Sequence, residues 1–362
     1  MLKNLVIIRQ IIKFVYCIIM GIKKFSYIRV GFLWLLLLAF LPSCSDSSAE
    51  PVPEEEVHQI IFLFSPGGLG DLSYNDCILS GVQQFKKENP EVDVFMYSPP
   101  SLEVAERIFT DWLKRPGSNI PVLFVLGSSD YESLADEYVP QYPLTPNKRL
   151  LLFESLTEIS HEGISTFHVS MYGASLLAGK TAAECSGAMK SLVLLGSSTD
   201  IPIRSALHGF AEGLGADPDV EYLADDWSGY IMAPEAYRKM SGWASTYGFI
   251  FPVAGGSNAG LYRYSRENAV CPFLAGMDVD QSGFSQKITG SVVKHFDRLI
   301  VEYLTEWLHY GSMPKFVNYG LESGYVDWVL SPTYESRFRP IVEQSRKEAV
   351  EKEKIYYETS QP

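Results

Sequence analysis

The residues of this chain whose types and spacing can do chemistry sit in three glycine-bearing segments, each following a short apolar run. The first, Ser65-Pro66-Gly67-Gly68-Leu69-Gly70-Asp71-Leu72-Ser73-Tyr74-Asn75-Asp76, comes after residues 60–64. Its glycines let a backbone approach a ligand closely, and Ser73 or Asn75 can cap the helix that begins there. It is no dinucleotide fingerprint, since Gly68-x-Gly70 lacks a third glycine at position 73, and no Gly-Lys-Ser/Thr makes it a phosphate loop. A plain turn with a helix cap is the alternative. The second segment, Val253-Ala254-Gly255-Gly256-Ser257-Asn258-Ala259-Gly260, invites a nucleophile-elbow reading of Ser257, which fails because position 259 is alanine. The third, Gly276-Met277-Asp278-Val279-Asp280-Gln281, brings two carboxylates out of an apolar run. Such a pair can hold a divalent metal, as a metal-dependent enzyme would, or accept hydrogen bonds from vicinal hydroxyls. Lys294 either folds back to the same place or stays solvated. The six histidines have no metal-like spacing and none neighbours a nucleophile, so no catalytic residue, metal site or cofactor is assigned.

These residues need a frame, and the apolar runs supply one. Runs at 60–64, 92–97, 122–126, 150–153, 164–169, 192–195, 249–253 and 273–276 read as buried strands. Helical periodicity lies between most of them, as at Ile78, Leu79, Val82 and Phe85. Continuous apolar strands alternating with helices mean parallel sheets covered on both faces, and so many strands divide more economically into two α/β lobes than into one sheet. Ligands then sit beyond the carboxyl ends of the strands, where the three segments emerge. The pattern predicts one long amphipathic helix over 288–308, a turn at Tyr319-Gly320-Leu321-Glu322-Ser323-Gly324, and a charged surface helix that frays from Glu343 onward.

The N-terminus reads as a secretion signal. An eleven-residue apolar run, 31–41, follows basic residues and ends in Leu41-Pro42-Ser43-Cys44. It is too short for the ~20 apolar residues of a membrane-spanning helix. A cysteine there resembles a bacterial lipobox, which makes 1–43 the signal peptide, Cys44 the lipidated residue and 44–57 a flexible acidic tether. Met20, followed by Lys23 and Lys24, is the expected true start. The leader holds six Lys or Arg and no acid, so the formal net charge of −13 becomes −19 without it. A surface that negative repels phosphate backbones, and nucleic acid is excluded as a partner. Of the five cysteines, Cys77, Cys185 and Cys271 lie beyond the leader and lipid site; buried free thiols are expected, with a Cys185–Cys271 bridge as the alternative.

The order of the motifs adds a family resemblance over most of residues 58–328. Asp71-Leu72-Ser73-Tyr74-Asn75-Asp76 with Gly81, the Leu177-Ala178-Gly179 helix, His208-Gly209-Phe210, Ala254-Gly255-Gly256, the 276–281 segment, Ile288 to Lys294 and the 319–324 turn resemble the basic membrane protein family. These are the purine nucleoside receptors of certain ABC importers. The resemblance implies a type I periplasmic-binding fold: two Rossmann-like lobes with parallel sheets, joined by a three-crossing hinge. It places the N-terminal lobe at 58–166 plus 281–315, the C-terminal lobe at 167–280 plus 316–340, and a charged tail at 341–362. It also implies a purine between aromatic rings, with Asp71 and Asn75 on the base edge, Asp278 and Lys294 on the ribose, and Tyr74 stacking. Phe251 is the expected opposing ring and Trp227 the reserve, beside Gly255. Asp130 either replaces a family acid or caps a helix. Residues 171–176 lack the glutamate the family carries before Leu-Ala-Gly.

The expected function is therefore a lipid-anchored solute receptor of the bacterial envelope that delivers a small ligand, a nucleoside, to an ABC permease. The alternatives are a surface lipoprotein taking a sugar-like ligand or a signalling partner, and an enzyme using Asp278 and Asp280 with a metal.

Overall fold

The computed structural model describes residues 57–117 and 119–359. The signal peptide, its start at Met20, Cys44 and nearly all of the tether lie outside the described residues.

Strand β1 (Gln59–Phe64) leads into helix α1 (Tyr74–Glu88), then β2 (Asp93–Tyr97), α2 (Leu102–Lys114), β3 (Val122–Gly127), α3 (Glu132–Tyr138), β4 (Lys148–Phe153) and β5 (Ile164–Val169). The chain crosses to a second unit of α4 (Tyr172–Cys185), β6 (Lys190–Ser197), α5 (Arg204–Leu214), β7 (Asp219–Ala224), α6 (Ala233–Trp243), β8 (Tyr247–Val253), α7 (Asn258–Glu267), β9 (Phe273–Asp278) and β10 (Ile288–Lys294). It returns through α8 (Phe296–Tyr310) and β11 (Phe316–Tyr319), and crosses a third time into β12 (Val326–Leu330) and α9 (Glu335–Thr359).

Two six-stranded sheets result, ordered β11-β5-β4-β3-β1-β2 and β12-β10-β9-β8-β6-β7. Every pairing is parallel except that of β12 with β10. The central strands are buried along their whole length, as β5, β8 and β10 illustrate, which is why they read as continuous apolar runs. The two lobes, the parallel sheets and the three crossings are as the sequence led us to expect.

Four details differ. Residues 288–308 are not one helix: β10 occupies 288–294 and α8 begins at Phe296. The β-branched Ile288, Thr289, Val292 and Val293 favour a fully buried strand, and only beyond His295 does one face turn to solvent. The lobe boundaries move with it. Residues 281–294 stay with the second lobe, where Gln281 N donates to Ser291 Oγ (3.0 Å) and Met277 N donates to Gln281 Oε1 (3.0 Å). Residues 167–169 and 316–319 belong to the first sheet, where β11 pairs with β5. The tail does not fray: α9 is one 25-residue helix that buries Phe338, Val342, Ser345, Ala349 and Glu353 and packs on α4. Cys77, Cys185 and Cys271 are unbridged, as expected, but only Cys77 is buried, Cys185 and Cys271 being partly exposed.

Candidate functional site

The carboxyl ends of the parallel strands converge on a cavity between the lobes, lined by residues of both, the place where open α/β sheets take a ligand. Asp71, Tyr74, Asn75, Asp130, Gly255, Asp278 and Lys294 all line it. Phe251 does not. It is fully buried within β8 and stacks on Phe210 at 4.6 Å and 6°, as a core residue of a strand buried on both faces. Trp227 also lies outside the lining. The ring delivered from its 3-10 turn, Trp227–Ile231, is Tyr230. That ring lies where a Cβ on Gly196 would stand 2.5 Å away, so only glycine leaves it room.

The loop before α1 is built from its own polar side chains. The Asp71 carboxylate accepts from the backbone N–H of Ser73 (2.9 Å), Asn75 (2.8 Å) and Asp76 (3.2 Å), and from Asn75 Nδ2 (3.2 Å). Asn75 Nδ2 also donates to Ser65 Oγ (2.9 Å), while Asn75 Oδ1 accepts from Ser65 N (3.0 Å). A carboxylate offers about four acceptor sites and a side-chain amide two donor hydrogens, so both groups are spent within the loop. Burial raises the pKa of Asp71 against the pull of its backbone donors. The structure brings these two residues to the cavity, where their bonds to each other also brace the start of the helix.

At the end of β9, Asp278 takes a positive φ of 67° and turns its carboxylate inward. Its Oδ1 lies 3.2 Å from Lys294 Nζ and its Oδ2 accepts from Ser73 Oγ at 2.5 Å, so the first lobe's loop is tied to the second. Gln281 Nε2 adds a second tie, donating to Leu72 O (3.1 Å). Asp280 faces solvent and caps Ser282 N instead, so the two aspartates do not point the same way. Lys294 stands at the end of β10, not on a helix, and is 5% exposed. Burial works to lower its pKa, but Asp278 and Glu154 outweigh it and the ammonium is held charged. Its Nζ also lies over the rings of Tyr74 (5.1 Å) and Phe296 (4.9 Å).

Sequence reasoning missed three residues. Glu154 follows β4 directly with a φ of +62° and is 5% exposed. Burial raises its pKa, but Lys294 and then His168 outweigh that and hold it below the ordinary value. Glu154 Oε2 lies 3.2 Å from His168 Nδ1, and His168 Nε2 is 2.9 Å from the Tyr357 hydroxyl of α9. Asp200 follows β6, and its Oδ2 accepts from Tyr230 OH at 2.5 Å. Burial, with the charges of Asp130 and Glu154, pushes Asp200 up to about 6 against that hydrogen bond. Asp130 is raised too, by burial and then Asp226, although Ser128 Oγ donates to it at 2.7 Å. The signal available for Glu154 and Asp200 was their position: each is an acid within five residues of a buried strand's carboxyl end. The third, Tyr230, carries no such mark in a sequence.

The lining thus carries five carboxylates and Lys294 as its sole basic side chain. Tyr74 OH, Glu154 Oε1 and Asp200 Oδ1 are buried there without a hydrogen-bond partner. Such an arrangement holds donor-rich, neutral or cationic molecules and repels phosphate.

Comparison with known proteins agrees with this frame. Residues 58–361 match the profile of the family described as ABC transporter substrate-binding protein, PnrA-like. An uncharacterized lipoprotein of Pyrococcus abyssi is 27% identical over 131 residues, 36% of this chain and 30% of that protein. The chain therefore matches less than a third of that relative's length. Among solved structures, a solute-binding protein of an ABC transporter system from Aeropyrum pernix K1 superposes with a TM-score of 0.64 at 20% identity, covering 83% of this chain and 86% of that one. A transcriptional activator of the comK gene from Bacillus halodurans gives 0.59 at 16% identity, covering 84% and 99%. The periplasmic component of a sugar transport system from Hahella chejuensis gives 0.54 at 15% identity, covering 72% and 97%. At these identities the likeness is one of fold.

Proposed function

The chain belongs to the PnrA-like family of ABC transporter substrate-binding proteins, and from that premise we propose that it closes its interlobe cleft over a purine nucleoside and presents it to an ABC permease. It is a binding protein of the extracytoplasmic space rather than an enzyme. In this reading Cys44, at the end of the Leu41-Pro42-Ser43-Cys44 motif, carries the lipid that tethers it to the envelope.

The observation that carries the reading is the polarity of the cavity. One end holds the buried Asp278–Lys294 pair, a donor beside an acceptor, which suits the vicinal hydroxyls of a ribose. The aromatic faces come from both lobes, Tyr74 from one and Tyr230 from the other, and suit a planar base. Asp130 lies on the base side. Asp71 and Asn75 act by shaping the loop that carries Tyr74. Five carboxylates against one lysine favour a nucleoside over a nucleotide.

A thermal-shift series on the soluble chain from residue 45 tests this, with purine and pyrimidine nucleosides, free bases and simple sugars as probes. A ligand that binds only the folded state at ~100 times its Kd adds roughly 2.7 kcal/mol of stability. A shift with purine nucleosides, lost in Asp278→Ala, is the expected result. A shift with sugars alone would transfer the cleft to a sugar-like ligand and refute the nucleoside assignment.

A further inference from the structure

Most polar groups around the cavity already have partners. Asp71 and Asn75 are bonded within the loop, and each Asp278 oxygen already has one partner, Ser73 or Lys294, with acceptor capacity left for a hydroxyl. Two carboxylate oxygens are left over. Glu154 Oε1 belongs to a side chain that is 5% exposed, and its other oxygen is occupied by His168. Asp200 Oδ1 is likewise buried and unpartnered, and Tyr230 fixes its other oxygen. Glu154 comes from the first lobe and Asp200 from the second, and both line the same cavity.

A buried acceptor without a donor is costly, and among the described residues neither of these oxygens is given a hydrogen-bond partner. An ionised carboxylate can only accept, so the ligand must bring N–H or O–H groups to these oxygens. A carbonyl oxygen placed there would oppose acceptor to acceptor. We infer that Glu154 and Asp200 together form an acceptor-only subsite that selects a ligand bearing an amino group. This rests on the nucleoside reading above and narrows it to amino-substituted nucleosides. Because the two oxygens belong to different lobes, a ligand that donates to both also ties the lobes together.

Isothermal titration with two matched pairs decides it: guanosine against inosine, and adenosine against purine riboside. The members of each pair differ by one exocyclic amino group. The native protein is expected to bind the amino member about tenfold more tightly or better. Asp200→Asn and Glu154→Gln should each bring that ratio toward one, because an amide can turn a donor to the ligand. Tyr230→Phe keeps the ring and unties Asp200, and should lower the ratio severalfold; it carries the test if Asp200→Asn does not fold. Equal affinity within both pairs, or a native ratio that survives in all the folded variants, overturns the subsite while leaving the nucleoside reading in place. Failure of all four nucleosides to bind removes that reading, and the subsite with it.

Discussion

Two buried glutamates, both close to His168 of β5, have opposite fates. Glu353, on α9 behind the hinge, accepts from Ser170 Oγ (2.5 Å), Gly173 N (3.0 Å) and Leu321 N (2.6 Å). Ser170 stands at the first crossing and Leu321 at the third, so one carboxylate pins two crossings together. Glu154, in the cleft, has one oxygen beside His168 and one with nothing. Both are 5% exposed. What separates them is satisfaction: both oxygens of the hinge glutamate accept from groups of the chain, whereas one oxygen of the cleft glutamate has no partner among the described residues. Burial alone therefore does not separate the two acids; an unmet hydrogen bond does.

Removing the satisfied acid should have the largest effect. Glu353→Ala leaves a hydroxyl and two backbone N–H groups without an acceptor, and the unfolding free energy should fall by roughly 3 kcal/mol or more in urea denaturation. An unchanged midpoint would remove the hinge-pin role. The next effect sharpens the contact itself. A Cβ on Gly320 would collide with the Glu353 carboxylate, so Gly320→Ala should cost about 1–2 kcal/mol in the native background and little in Glu353→Ala. Equal costs in both backgrounds would mean that the glycine serves something else.

The smallest effect has the opposite sign. Asp200 has a folded pKa of about 6, above its ordinary 3.8, so the folded state binds the extra proton between those values. Its contribution to stability therefore falls as pH rises from about 4 to about 6 and is constant above. Asp130, Glu154 and Lys294 surround it, and Asp200→Asn leaves them in place. The ligand-free variant should match the native thermal midpoint near pH 4 and exceed it by pH 7, the gap opening across that interval. A gap that stays constant with pH would contradict the raised value.

The comparison also explains what could be read in the chain beforehand. Strand β2, an edge strand exposed along most of its length, was legible from its apolar run alone, whereas β1, β3 to β6, β8 and β9 were legible because both their faces are buried, and the loops after them followed from parallel topology. Strands β7, β11 and β12 were not, being edge strands with polar faces. The β10–α8 junction was lost because a buried strand abutting an apolar helix blurs both periods. The acceptor of the Gly173 N–H could not be found locally, since Glu353 supplies it from 180 residues away. The apolar stripe of α9 was hidden among charges, although Phe338, Val342, Ser345 and Ala349 recur at helical spacing ahead of Glu353. Asp71 and Asn75 were found as positions, but their bonds within the loop were not, because a sequence records which groups are polar and not which of them pair with each other.

The hinge pin also has a place in time. A chain is made from its N-terminus, and every strand of both sheets precedes Glu335, where α9 begins. The lobes can therefore assemble while Ser170, Gly173 and Leu321 still turn their donors to water. The crossings are locked only once Glu353 docks on them, so a chain truncated before α9 keeps every strand of both sheets and loses its hinge pin.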